Sequence, residues 1–430
     1  MHVSARWVGP NFGAVLAAIA TGCSGQVAGA PTDGGGGKEA APSQDAALVQ
    51  DAAPDSSQTQ QDSGTGSQDS GAPPSGDASD TCSSPGVQCV TPPSPPSGVV
   101  GSGGSTAHNY AIHQLYLGDT DRTGISNADA WRSFGYNLDD RVTVVSSTDV
   151  CTLAAGAARS TQIDGNGGID NSFGENLLPI FLTIAGTDFS PKVNASIQGG
   201  GFTDLVYTVG FDDASGNTTT AKNLSGVLLG GGSYASLHDG GTPAWNLGTH
   251  WPIRPESLNG CPNGECPVGT DPIASAAAQF PSAYQKNGTF VSGSPSNLVL
   301  YLPLGAGSLT LDVQSGVVTF GPDVPGSVTD GTIAGAIPTT QLVAAFQAVA
   351  GSISTSLCSG SAFQSIVQQI EQDSDIVVDP GTGAISNPAG TACNAISIGL
   401  GFDATEIAAP VSSDITGPTP VPDFCEGPDG

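Results

Sequence analysis

Basic residues are scarce in this 430-residue chain: ten Lys and Arg stand against 39 Asp and Glu, for a formal net charge of -29. No cluster of Lys or Arg occurs anywhere in it. Phosphate backbones and anionic lipid surfaces are therefore repelled, which excludes nucleic acid as a partner and favours cations. Long apolar runs are missing too. The apolar stretch near the N-terminus, Phe12 to Ala20, is too short to cross a bilayer as a permanent helix. Also absent are a GxSxG nucleophile elbow, HExxH, a P-loop, and any GxGxxG that follows a strand and opens a helix. Histidine is limited to His2, His108, His113, His238 and His250.

What is present at the N-terminus is an export signal over residues 1–22, with Arg6 as its basic element and a short apolar core. Two cleavage readings compete. Ala18-Ile19-Ala20 suits ordinary signal peptidase and a secreted soluble product, whereas "IATGC" suits lipidation of Cys23, although Ala20 stands where a lipobox usually has Leu. The cysteines favour lipidation. Of nine, removing Cys23 leaves eight, enough for four disulfides in an oxidising compartment. From Cys23 to residue 98 the chain is almost entirely Ala, Gly, Ser, Pro, Gln and Asp, a disordered linker by composition. As a coil it spans roughly 50 Å, the reach an anchored domain needs. The expectation is a lipoprotein of the outer membrane or cell surface, held there by its acyl chains.

Residues 99–425 read as one folded domain, with room for a subdivision near 255–290 and a flexible tail over 426–430. "NLVLYLPL" and "AISIGLGFDA" alternate apolar and other residues with period two, the mark of a half-buried strand. "FTDLVYTVGF", "SLTLDVQSGVVTFG" and "GTIAGAIP" add more strands. "TTQLVAAFQAVAG" predicts a helix capped by Thr339 or Thr340 and stopped at Gly351, and "SAFQSIVQQIEQ" a second with a Ser361/Gln364 capping box. Helix is also the preferred reading of "SFGENLLPIFLTI" and "SPKVNASIQ". The fold class expected is α+β and β-rich, an antiparallel sheet or sandwich with a few packed helices. Spacing suggests the disulfides Cys82–Cys89, Cys261–Cys266, Cys358–Cys393 and, by remainder, Cys151–Cys425.

Two loops have calcium spacing. Asp119, Asp121, Thr123, Gly124 and Asn127 occupy positions one, three, five, six and nine of an EF-hand-like loop, but Ala130 replaces the bidentate carboxylate at twelve and Asp129 falls one residue early. The aromatic residues that follow, Trp131, Phe134 and Tyr136, suggest that the loop is pinned to the domain. In "IDGNGGIDNSFGE", Asp164, Asn166, Asp170 and Glu175 take positions one, three, seven and twelve, and Asp170 or Glu175 are candidates to complete the first loop. Calcium is thus the expected cofactor.

The glycine-rich segment Gly230 to Pro255 brings together Tyr234, His238, Trp245 and Trp251. Exposed aromatic faces beside amides stack on sugar rings, so carbohydrate or a surface protein is the expected ligand; the competing reading is that the tryptophans pin the loop to the sheet. His238 beside Asp239, with Ser233, also permits a hydrolytic site, whereas no pair of carboxylates for glycoside hydrolysis is indicated.

The ordered motifs "YLGDTDRTGISNADAWRSFGYNLDD", "DGNGGIDNSFG", "NGTFVSG", "DGTIAG", "CSGSAFQSIVQQI" and "CNAISIGLGF", across residues 110–405, resemble a group of myxobacterial-type (deltaproteobacterial) cell-envelope lipoproteins to which no activity is assigned. The resemblance implies export, a lipid anchor and a tether, and no reaction. A non-enzymatic binding or structural module, calcium-stabilised, is the leading expectation; an exported hydrolase of glycans or esters is the alternative.

Overall fold

Nine strands carry the fold. They are β1 (Ala107–Tyr116), β2 (Thr203–Val209), β3 (Ala221–Gly231), β4 (Ala278–Lys286), β5 (Thr289–Val291), β6 (Ser296–Leu304), β7 (Gly307–Val324), β8 (Ser327–Pro338) and β9 (Ala395–Glu406). The computed structural model describes residues 80–417 except 215, 217, 294, 295, 305 and 306, together with Cys425. Cys23, the export signal, most of the linker and the tail 426–430 lie outside the described residues.

The expected β-rich α+β class is what the chain adopts, and the sheet closes on itself. Following the antiparallel pairings from strand to strand gives β8–β9–β1–β2–β3–β4–β5–β7, and β7 then pairs with β8 to complete the ring. Eight strands enclose a space that side chains just fill. Tyr110 on β1 meets Phe320 on β7 with ring centroids 5.6 Å apart, and Phe402 on β9 meets Phe320 at 6.1 Å. These strands are not neighbours in the ring, so the rings meet across the interior. β6 stands outside the ring and pairs with the first half of β7.

Helices α1 (Leu178–Ala185), α2 (Phe189–Gln198), α3 (Thr339–Ile353) and α4 (Ser361–Gln372) join the strands at one end. Their apolar faces continue the barrel core through Phe181, Phe189, Phe346 and Phe363, all buried. All four fall where helix was expected. The capping differs: α4 begins after Gly360, whose carbonyl accepts from Gln364 N, and the Thr339 hydroxyl bonds Ser374 at 2.6 Å. α3 also passes Gly351 to end at Ile353.

On the outer face, Ala111, Leu205, Val227 and Leu229 are covered by the long segment after β3, through Trp251, Ile253 and Leu258. β9 is covered on both faces and so is not half-buried as its alternation suggests. Phe134 and Gly135 lie against Gly399, where a Cβ would overlap the Phe134 carbonyl, and Asn171 Nδ2 donates to the Gly399 carbonyl at 2.9 Å.

Residues 81–98, assigned to the linker by composition, are held on the body. Asp80–Thr81 pairs with Arg141–Val142, Val90 N donates to the Gly167 carbonyl at 2.9 Å, and Tyr284 donates its hydroxyl to the Pro93 carbonyl. Four disulfides form, consistent with an exported protein, and among the described residues no helix is long and apolar enough to cross a membrane. Cys82–Cys89 and Cys261–Cys266 pair as expected. The other two are corrected to Cys151–Cys393 and Cys358–Cys425. The reason is a parallel bridge between Thr152 and Ala392, which lays Cys151 beside Cys393. Closeness in sequence across α4 was the wrong guide.

Candidate functional site

The end of the barrel away from the helices is open and polar. β1 begins there, β2 and β9 end there, and Gly326 lies between β7 and β8. His108 and Tyr110 are two apart on β1 and face the interior, as period-two alternation requires. Asp213 follows the end of β2, and Glu406 is the last residue of β9. His108 Nδ1 lies 2.9 Å from Glu406 Oε1 and 3.8 Å from Asp213 Oδ2. Asp213 Oδ2 accepts from Gly326 N at 2.8 Å and from the Tyr110 hydroxyl at 3.3 Å. Burial, then the charges of Asp213 and Glu406, push the Tyr110 hydroxyl pKa far above its ordinary value, so Tyr110 remains a donor. A cavity of about 400 Å³ adjoins the group, lined by Gly103, Thr106, His108, Phe211, Asp213 and Thr219 among others.

In the sequence His108 is one of five histidines, and Asp213 and Glu406 belong to no recognised motif. Their sequence separations from His108 are 105 and 298 residues, beyond any motif. The one usable signal was His108 in period with Tyr110 on a strand.

The predicted calcium residues are placed differently. Asp121 Oδ1 accepts from Thr123 N, Thr123 Oγ1 and Ile125 N at 2.8, 2.6 and 3.1 Å, an Asx turn. The Thr123 hydroxyl, helped by the two amides, lowers the Asp121 pKa. Asp119 accepts from the Ser190 hydroxyl at 2.6 Å, Asn127 Oδ1 from Asp129 N at 3.0 Å, and Asp129 pairs with Arg132 at 3.2 Å. The loop is thus a hairpin in which Asp121, Asn127 and Asp129 meet local donors and Asp119 meets Ser190 at the start of α2. Trp131 and Phe134 are buried and Tyr136 bonds Thr319, so the segment is pinned as expected.

In the second loop, Asp164 and Asp170 are buried and accept from Thr143 N and Leu138 N, each at 2.6 Å. Burial raises Asp164 to about 9 and pushes Asp170 well above the usual range, and the charges of Asp139 and Asp375 add to both shifts. Glu175 is raised to about 7 by burial, against the pull of Arg132. Asn166 bonds Ser133 at 3.1 Å. Among the described residues, the group of three His, Cys, Asp or Glu donors lying within 4.8 Å of one another is His108, Asp213 and Glu406; no predicted calcium ligand belongs to it.

The aromatic segment forms a row: His238 to Tyr234 at 4.0 Å, Tyr234 to Trp251 at 5.4 Å, Trp251 to Trp245 at 5.3 Å, and Trp245 to His113 at 6.1 Å. Trp251, only 1% exposed, donates to the Gly232 carbonyl at 2.9 Å. It pins the segment to the barrel and is withdrawn from ligand contact, leaving Tyr234, His238 and Trp245 with exposed surface. His250 Nδ1 lies 3.2 Å from Asp414 Oδ2, an oxygen that also accepts from Val411 N in a surface turn. Comparison with protein-family models, with curated proteins and with solved structures gave no match.

Proposed function

We propose that this chain is an exported, non-enzymatic binding module, anchored to the cell envelope through a lipid on Cys23, that takes a cationic ligand into the mouth of its barrel. The observation that carries the reading is the meeting of His108, Asp213 and Glu406 beside a cavity. Barrel mouths are common ligand sites because strand ends hold side chains rigidly around a concavity. Two carboxylates on one imidazole leave net negative charge there, and among the described residues the ion pairs of Asp213 and Glu406 are with His108 alone. The acidity of the whole chain raises the local concentration of cations.

The test is a thermal-shift series on the folded, disulfide-bonded chain with spermidine, choline, arginine and divalent metal chlorides. Stabilisation by at least one of these, reduced in Asp213→Asn, is expected; no stabilisation by any of them overturns the reading. Turnover of ester or glycoside substrates, lost in His108→Gln, favours the hydrolase instead.

A further inference from the structure

We infer that His108, Asp213 and Glu406 form a binding site for a first-row divalent metal ion of the zinc or manganese class. The inference rests on the reading of the barrel mouth as the binding site and names its ligand.

Tetrahedral bonds of zinc length place ligand atoms roughly 3.3 Å apart. The two separations measured from His108 Nδ1, 2.9 and 3.8 Å, bracket that value, and all three donor atoms lie within 4.8 Å of one another. Small side-chain rotations suffice to close the set around an ion. Three protein ligands leave a coordination position open, and the cavity supplies room for water or a small molecule there.

Donor chemistry selects the metal. Calcium takes six to eight oxygens, whereas imidazole nitrogen combined with carboxylate suits zinc, iron and manganese. Ligand carboxylates in metal sites are themselves oriented by hydrogen bonds. Asp213 has two such bonds, from Gly326 N at 2.8 Å and from the Tyr110 hydroxyl at 3.3 Å.

Thr208 supplies an independent observation. It is directly opposite His108 in the β1–β2 pairing, so its side chain is on the interior face beside the imidazole. Thr208 is fully buried, yet its Oγ1 has no hydrogen-bond partner among the described residues. An unmet buried hydroxyl is costly. A metal-bound water in the mouth gives it a partner.

Metal-stripped, disulfide-intact protein is titrated with cobalt(II) chloride, followed by visible absorption and calorimetry. One equivalent per chain is expected, with the intense visible bands of low-coordinate cobalt, displaced by zinc. Glu406→Gln and His108→Gln each weaken binding at least tenfold, Thr208→Val weakens it severalfold without lowering the metal-free melting temperature, and His250→Ala leaves it unchanged. If His108→Gln does not fold, the near-isosteric Glu406→Gln decides. Absence of stoichiometric binding, wild-type affinity in Glu406→Gln, or loss of binding in His250→Ala overturns the metal site. Stabilisation by spermidine without cobalt uptake overturns the metal while leaving the cationic pocket standing.

Discussion

His108 Nδ1 and Glu406 Oε1 stand 2.9 Å apart although 298 residues separate them in sequence. The contact exists because β1 and β9 are adjacent in the ring, with Glu406 paired to Tyr110. The site is therefore a product of barrel closure, and its integrity and that of the fold are linked.

The buried acids set the pH dependence of stability. Burial raises Asp164 to about 9 and Asp204 to about 8, both from an ordinary value of 3.8. Above the ordinary 3.8 the unfolded chain has lost these protons while the folded chain retains them, so stability falls as pH rises, by about 1.4 kcal/mol per pH unit for each retained proton, until the folded group itself titrates, near pH 8 for Asp204 and near pH 9 for Asp164. His113, whose pKa burial lowers, acts in the opposite sense and only below its ordinary 6.5. Calorimetry is expected to give a melting temperature several degrees lower at pH 9 than at pH 7, with a shallower decline in Asp164→Asn. A melting temperature that rises over this interval contradicts the assignment.

Loop length ranks the disulfides. Cys151–Cys393 closes a separation of 242 residues and Cys261–Cys266 one of 5. Chain entropy assigns the first about 5 kcal/mol and the second about 2 kcal/mol. Urea unfolding of the paired Cys→Ser variants should show that order, and non-reducing peptide mapping should recover Cys151 linked to Cys393.

Trp251 tests what the aromatic row does. Trp251→Ala removes a fully buried ring packed between Tyr234 and Trp245 and leaves the Gly232 carbonyl without its donor. A loss of about 3–5 kcal/mol is expected, with a smaller loss for the half-exposed Trp245. Equal, slight losses at both positions contradict a pinning role.

Gly399 tests the double covering of β9. Any Cβ there meets the Phe134 main chain, so Gly399→Ala should cost about 1–3 kcal/mol through overpacking. Gly321, whose added Cβ meets nothing within 4 Å, is the control.

Local features were legible in the sequence and long-range ones were not. The 3.6-residue period exposed α3 and α4 because Leu342, Phe346, Phe363 and Ile370 face a core. The period-two runs exposed β6 and β9. Closure of the ring is decided by the β7–β8 pairing together with β9–β1, and no local pattern encodes the second of these. The aspartate spacing from Asp119 to Asp129 was visible, whereas the hydrogen bonds that Asp121 accepts from Thr123 and Ile125 appear only in the folded turn. Trp251 was visible as an aromatic in a glycine-rich loop, while its burial depends on Leu205 and Leu229 of distant strands.

The most direct test of the central claim is anomalous diffraction, recorded at the cobalt edge, from crystals of the full exported chain grown with cobalt. The account predicts one strong peak per chain at the barrel mouth, within bonding distance of His108 Nδ1 and of carboxylate oxygens of Asp213 and Glu406. Peaks only at other places, or none, would contradict it.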